Sequence, residues 1–106
     1  MEAKIIFVDK KLKESFDFLE ESDERLYKEI SKAITNIKNN VGAGRSVKKK
    51  LIPKFLKDKY NIDNLWVYNL SKDWRLLYSL GKDEIELLAV VLDWMNHKDY
   101  ERLFNF

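Results

Sequence analysis

Apolar residues recur along the chain with two different periods, and the change of period divides it into elements. The run from Ile5 to Val8 is rich in β-formers, which predicts a first strand over Ala3 to Asp9. Leu12, Phe16 and Leu19 then recur at spacings of four and three residues. That spacing is typical of one apolar helix face, so the first helix follows the strand directly.

A second helix is predicted from a longer apolar stripe. Asp9 and Asp23 are suitable N-caps for the two helices, which together fill residues 9–41 and form an antiparallel hairpin. Gly42 and Gly44 follow the last apolar position and are expected to end the second helix, as glycine does at helix C-termini. The stripe consists of Leu26, Ile30, Ala33, Ile34, Ile37 and Val41.

The second half of the chain returns to strands after an irregular stretch. Pro53 and many lysines make residues 45–63 an extended segment, with a short helical turn near Phe55 to Tyr60. Residues 64–92 then predict a three-stranded antiparallel meander, with strands at 65–70, 74–80 and 84–92 and turns at 71–73 and 81–83. The last strand is almost continuously apolar, which favours a central position buried on both faces. A final helix over residues 96–103 completes a single α+β domain, 1–106, of order β-α-α-β-β-β-α.

Charge is unevenly distributed, although the formal net charge is only +2. Residues 45–59 hold seven basic residues against Asp58 alone, a net +6, while the remainder has 13 basic and 17 acidic residues, a net −4. A basic stripe on an acidic body suggests a local contact with a polyanion, and a solvated lysine-rich loop is the alternative.

Composition excludes several classes of site. The chain has no cysteine and one histidine, so disulfides and thiolate chemistry are excluded and a zinc site is not expected. Asp93 and His97 could share a metal if one helix spanned both, but no third ligand is evident. The glycines form no phosphate loop, and no apolar run suits a signal peptide or membrane span. A cytoplasmic protein without cofactor, metal or membrane contact is therefore expected.

Three motifs, in this order, resemble the RelE/ParE superfamily of toxins. The stretch Lys48–Lys54, read with Asn64-Leu65-Trp66, is similar to an archaeal-type branch of it. Residues 74–78, Trp-Arg-Leu-Leu-Tyr, resemble the superfamily's "YRLVY/WRLIY" strand. Residues 97–104 resemble the "HKxYExxF" tail of many RelE-like toxins.

The resemblance implies a small twisted antiparallel sheet packed against a helical hairpin, and a cognate antitoxin protein as partner. Membership of the RelE branch implies a ribosome-dependent, metal-independent endonuclease whose further partners are the ribosome and mRNA. The ParE branch implies a gyrase inhibitor instead. A third possibility is a catalytically inactive interaction protein of the same fold, because fold alone does not settle activity.

For RNA cleavage the candidate catalytic residues are Arg75, His97, Tyr100 and Lys50. Arg75 occupies the position where RelE-like enzymes place a phosphate-binding arginine, and its planar fork suits phosphate oxygens. Histidine is the side chain that ordinarily titrates near neutral pH, so His97 can act as general base or acid. Tyr100, three residues on, would share its helix face, and Lys50 would act as an electrostatic clamp. Ion pairing, capping and packing are the structural alternatives for these side chains.

Candidate RNA-binding residues come from the basic stripe and the strand after it. The best-known RelE proteins carry two lysines on the strand before the "YRLVY" strand, where this chain has Trp66 and Tyr68. These aromatic side chains could stack on bases of mRNA, although packing is their more frequent fate. The cationic candidates are Arg45, Lys48, Lys49, Lys54 and Lys57.

Overall fold

The computed structural model describes residues 2–71, 73–82 and 86–105. A short strand is followed by two helices, a basic connection with a two-residue strand, a three-stranded meander and a last helix. The elements are β1 (Lys4–Phe7), α1 (Lys10–Ser22), α2 (Glu24–Asn39), β2 (Arg45–Ser46), α3 (Lys54–Tyr60), β3 (Trp66–Asn69), β4 (Trp74–Lys82), β5 (Leu87–Asn96) and α4 (His97–Phe104).

The five strands form one mixed sheet in the order β1-β5-β4-β3-β2. The meander β3-β4-β5 is antiparallel, as its alternating strands and turns predict. The first strand, however, lies parallel to β5, with Ile5 opposite Ala89. The α1–α2 hairpin between them carries the chain back to the sheet, and the predicted purely antiparallel sheet becomes a mixed one. The α+β class and the hairpin packed on the sheet are confirmed.

Both helices of the hairpin begin where the aspartates predict. Asp9 Oδ1 accepts a hydrogen bond from Leu12 N at 2.7 Å, and Asp23 Oδ1 accepts one from Leu26 N at 3.2 Å. These caps satisfy backbone donors that have no partner within the helix. The second helix ends earlier than predicted, at Asn39, with an extended Asn40 as its C-cap.

The two glycines after α2 have a different role from the predicted one. Neither has a positive φ, so neither ends the helix through a left-handed conformation. Gly44 is required by close approach instead: a Cβ there would lie 2.7 Å from Val67 O and 2.9 Å from Tyr78 Oη. The Tyr78 hydroxyl donates to Val41 O at 2.8 Å and accepts from Gly44 N at 3.0 Å. Tyr78 thereby ties the loop before β2 to the sheet.

The connection and the strand ends also depart from the predicted bounds. The helical turn near Phe55 to Tyr60 is a seven-residue helix, α3, preceded by a 3-10 turn at Lys49–Leu51. Gly81 and Lys82 continue β4 instead of turning, because Lys82 pairs with Leu87 across the sheet. The turn residues Lys72 and Asp83, and the predicted strand start at Glu84, lie outside the described residues.

Each face of the sheet carries its own apolar core. Leu76 and Tyr78 of β4 pack with Ile30 of α2 on one face, which we call the hairpin face. Leu77 and Val67 pack on the other, the α4 face, with Leu56 of α3 and Tyr100 of α4. Because successive strand residues point to opposite faces, this division follows directly from the alternation along β3 and β4. The meander is therefore covered on both sides, as its apolar third strand predicts.

Candidate functional site

The site is built on the α4 face, starting from Arg75. Cross-strand partners share a face of the sheet, and Arg75 pairs with Asn69 of β3 and Met95 of β5. Arg45 of β2 pairs with Val67, which pairs with Leu77, so Arg45 belongs to the same face. Strand alternation thus places both arginines beneath the basic connection and α4.

Arg75 makes contacts that hold its guanidinium without neutralising it. One terminal nitrogen donates to Trp74 O at 3.2 Å, and the other lies 3.2 Å from His97 Nδ1. Its carbon Cζ lies 5.7 Å from the centroid of the Tyr100 ring, within cation–π range. Arg75 Nε is buried without a hydrogen-bond partner, and no carboxylate among the described residues pairs with this cation. The guanidinium is thus held in place with its charge unpaired, which suits an arginine that binds an anion through its terminal nitrogens.

The last helix positions the other two candidate side chains. Asn96 caps it, its Oδ1 accepting from Asp99 N at 2.9 Å, so His97 stands at the first helical position. Tyr100 is buried, with the His97 ring stacked 6.5 Å away and the Phe104 ring 4.6 Å away between centroids. Tyr100 is thus a platform beneath Arg75 and His97, because one helical turn separates it from the histidine.

A cleft beside Tyr100 brings part of the basic stripe into the site. It has a volume of about 220 Å³ and lies between β2, the following turn and α4. Arg45 and Lys48 form its basic side, while Tyr100 and Phe104 form its aromatic side; both cations are exposed. No ion pair of Arg45 or Lys48 occurs within the described ranges. Tyr100 therefore contacts Arg75 and also lines the cleft that contains Arg45 and Lys48.

Four further lysines of the stripe are exposed on the connection and do not line this cleft. Lys49 and Lys50 are exposed on the 3-10 turn and do not line the cleft. Lys54 pairs with Asp58 at 2.8 Å, and this hydrogen bond raises the pKa of Lys54. Lys57 is exposed on the same helix, α3. These four residues extend the positive surface beyond the cleft that Arg45 and Lys48 line.

The two aromatic candidates lie on the opposite face from Arg75. Trp66 stacks on Tyr78 with ring centroids 6.1 Å apart, and both belong to the hairpin-face core. The Tyr68 hydroxyl accepts a hydrogen bond from Asn36 Nδ2 of α2 at 2.7 Å. The structure therefore does not bring Trp66 and Tyr68 together with Arg75 and His97. Their place in an alternating strand, one residue out of step with Val67, is the physical reason.

Two further residues of the α4 face were not among the sequence candidates. Asn69 is exposed and pairs with Arg75 across the sheet. Glu101 Oε1 lies 2.9 Å from His97 Nε2. The i,i+4 spacing of His97 and Glu101 was the available signal for that pair, whereas the position of Asn69 depends on strand register.

Asp93 is separated from His97 by secondary structure. It lies on β5 and His97 on α4, so no single helix spans the two, and no group of three metal-ligating side chains occurs in the described part of the chain. Asp93 instead accepts a hydrogen bond from Trp94 N at 2.8 Å. Burial raises the pKa of the Asp93 carboxyl, with that hydrogen bond and Lys59 acting in the other direction.

The helices in the described part of the chain are each too short or too polar to span a bilayer. No protein-family model matches the sequence, and no curated protein is significantly similar to it. Among solved structures, the fold matches a YoeB/ParE toxin from Agrobacterium tumefaciens with a TM-score of 0.60. The match covers 89% of this chain and 98% of the other at 19% sequence identity. The chain therefore has the fold of that toxin.

Proposed function

We propose that this chain is the toxin of a toxin–antitoxin pair and cleaves mRNA on the ribosome. The observation that carries the proposal is the Arg75 guanidinium, held against His97 and Tyr100 with no carboxylate partner in the described residues. The fold match to a YoeB/ParE toxin supports the toxin assignment. The motifs of residues 48–54 and 64–66 favour an archaeal-type member, and a ribosomal target implies a cytoplasmic location.

The proposed reaction is a transesterification within the RNA backbone. The ribose 2′-oxygen attacks the adjacent phosphorus, the bond to the 5′-oxygen breaks, and the products are a 2′,3′-cyclic phosphate and a 5′-hydroxyl. His97 takes the 2′-hydroxyl proton, while the leaving oxygen receives one from the imidazolium or from water. Arg75 stabilises the extra charge on the phosphorane, where a fixed donor contributes most. This route needs no metal ion.

The Arg75–His97 contact explains how substrate can activate the base. A guanidinium only donates hydrogen bonds, so His97 Nδ1 must accept from it in the resting site. A phosphate that binds Arg75 competes for the same donors and frees the Nδ1 lone pair. The base thus becomes available when a phosphate is in place.

The basic stripe is proposed to bind the ribosome–mRNA complex. Arg45 and Lys48, which line the cleft beside Tyr100, are proposed to contact phosphates next to the one that reacts, and Lys49, Lys50, Lys54 and Lys57 to contact other phosphates. Lys50, a catalytic candidate on sequence, is better suited to this peripheral role, since it does not line the cleft beside Tyr100. Neutralising phosphates releases counterions, so binding should weaken steeply with salt.

The partner is proposed to be an antitoxin with an acidic, amphipathic segment that folds on contact. Positive charge around the cleft, the exposed Leu51 that lines it and the exposed Phe55 of α3 provide complementary chemistry. Co-expression with the genomic neighbour tests this, because a genuine antitoxin copurifies and suppresses cleavage. Recovery of the chain alone, with the neighbour expressed, contradicts the partner.

Primer extension on a translated mRNA tests the activity. Wild-type protein should produce defined cuts only during translation, and the folded Arg75→Ala, His97→Ala double variant should produce none. If the wild type and the double variant cut equally, Arg75 and His97 are not catalytic. Absence of cutting, together with inhibition of gyrase supercoiling, assigns the gyrase alternative. Inactivity in both assays assigns an interaction protein.

A further inference from the structure

The His97 ring lies between a cation and an anion, one at each nitrogen. Arg75 Nη2 is 3.2 Å from Nδ1, and Glu101 Oε1 is 2.9 Å from Nε2. A ring that accepts from the guanidinium at Nδ1 and donates to the carboxylate at Nε2 is one and the same tautomer, so both neighbours favour a proton on Nε2. Histidine orientation is commonly set in this way by the group at its second nitrogen.

The last helix, α4, positions both the imidazole and the carboxylate. Asn96 caps the first turn, and the four-residue spacing places Glu101 on the same face as His97. Tyr100 stacks on the imidazole from the core side. The imidazole is therefore held through backbone, ring face and both nitrogens, while its side chain remains 46% exposed to an incoming substrate.

We propose that Glu101 is a positioning residue for His97. Its carboxylate keeps the imidazole in the Nε2–H tautomer, with the Nδ1 lone pair directed at Arg75 and thus at a phosphate bound there. The catalytic consequence rests on the proposed function, whereas the tautomer does not. An acid beside an anion-binding arginine repels RNA, so Glu101 is unfavourable for substrate binding alone.

The same helix offers a matched control. Asp99 pairs with Arg102 at 3.4 Å and caps nothing through its side chain. Asp99→Asn removes the same charge as Glu101→Gln, from the same element, without touching the imidazole. The comparison therefore separates orientation of His97 from the general electrostatics of α4.

Nuclear magnetic resonance tests the tautomer without any substrate. The chain has a single histidine, so the ring nitrogens give one assignable pair of ¹⁵N signals. At alkaline pH the wild type and Asp99→Asn should both show protonated Nε2 and bare Nδ1. In Glu101→Ala the two shifts should move towards each other as the tautomers mix. A wild-type Nδ1–H tautomer, or unchanged shifts in Glu101→Ala, overturns the proposal.

Single-turnover cleavage on saturating ribosomes tests the consequence. Glu101→Ala should cleave on the order of tenfold more slowly, less than in buried catalytic triads because the pair is half exposed. Glu101→Gln retains an oxygen acceptor and should recover part of the rate, and both variants should bind ribosomes as tightly as wild type or more so. Glu101→Ala cleaving at the wild-type rate overturns the proposal. If wild type itself does not cleave but the tautomer result holds, only the proposed function fails.

Discussion

Tyr68 and Tyr78, on the hairpin face of the sheet, have their hydroxyls satisfied by the protein, whereas Arg75 on the α4 face retains a buried nitrogen without a partner. Tyr68 binds Asn36, and Tyr78 binds the backbone at Val41 and Gly44. Arg75 contacts a carbonyl, an imidazole and a ring, none of which carries the opposite charge. Residues of the same sheet thus meet two different environments on its two faces.

The difference separates the face that stabilises the fold from the face on which we propose the function lies. Satisfied buried polar groups and close-packed apolar side chains hold a single fold. A cation without a counter-charge costs stability unless an outside anion supplies what is missing. Substitutions on the hairpin face should therefore change the free energy of unfolding, and substitutions on the α4 face should change ribosome binding or the cleavage rate.

The largest effect is expected from the hairpin-face core. Ile30 of α2 is fully buried, so Ile30→Ala should lower the free energy of unfolding by about 2–5 kcal/mol through lost burial and a cavity. Denaturant unfolding measures this loss, and Ile30→Val serves as a milder control at about 1 kcal/mol. Below its melting temperature Ile30→Ala should still cleave normally. A loss of activity in the fully folded variant would contradict the separation of faces.

On the α4 face the expected loss is in rate. Arg75→Ala should reduce single-turnover cleavage about a hundredfold, roughly 3 kcal/mol of transition-state stabilisation, because a fixed donor to the phosphorane is lost. Its stability should be unchanged or slightly higher, since a half-buried cation is removed. Unimpaired cleavage in a folded Arg75→Ala protein would show that this arginine is structural.

Tyr68→Phe removes a single oxygen atom and tests whether Tyr68 packs in the protein or stacks on RNA bases. The change removes the hydrogen bond to Asn36 and should cost about 1 kcal/mol of stability. Ribosome binding and cleavage should not change, because the side chain faces the hairpin. Weaker ribosome binding with unaltered stability would restore Tyr68 as a residue that contacts RNA.

Lys48→Gln should weaken ribosome binding severalfold, since one phosphate contact is lost. The slope of the logarithm of the binding constant against the logarithm of salt concentration should become shallower by about 1. Lys11→Gln, on the exposed side of α1, is the control with the same charge change. Binding titrations at several salt concentrations make the comparison. Equal slopes for the two variants would mean that net charge alone acts, without a localised site.

The smallest effect concerns Asp93 and its dependence on pH. Burial raises its pKa in the folded state, so the native protein holds this proton to higher pH than the unfolded chain. Stability is therefore lost as pH rises from the ordinary carboxyl pKa through the raised one. Asp93→Asn should remove that decline and raise the melting temperature by a few degrees at neutral pH. Parallel melting-temperature profiles for the two proteins would contradict the raised pKa.

Local signals account for most of what was predictable. The caps Asp9 and Asp23, the apolar stripe of α2 and the alternating strands are properties of neighbouring residues, so the elements follow from sequence. The predicted role of Gly44 at the end of α2 was wrong because Gly44 contacts Tyr78, 34 positions later in the chain. The length of β4 depends on the cross-strand pairing of Lys82 with Leu87, which the turn-forming residue types at 81–83 do not reveal.

The candidate site divides in the same way. The sequence alone determined the residue types: an arginine in a strand motif, a lone histidine with a tyrosine one turn away, and a basic stripe. Only the tertiary structure decided which of them meet. Strand alternation and register placed Arg75 and Arg45 on one face and Trp66 and Tyr68 on the other. Packing of α4 across that face then brought His97 to Arg75, 22 positions away in the chain. The sequence alone could not decide this, because register and long-range packing depend on all strands together and not on any one segment.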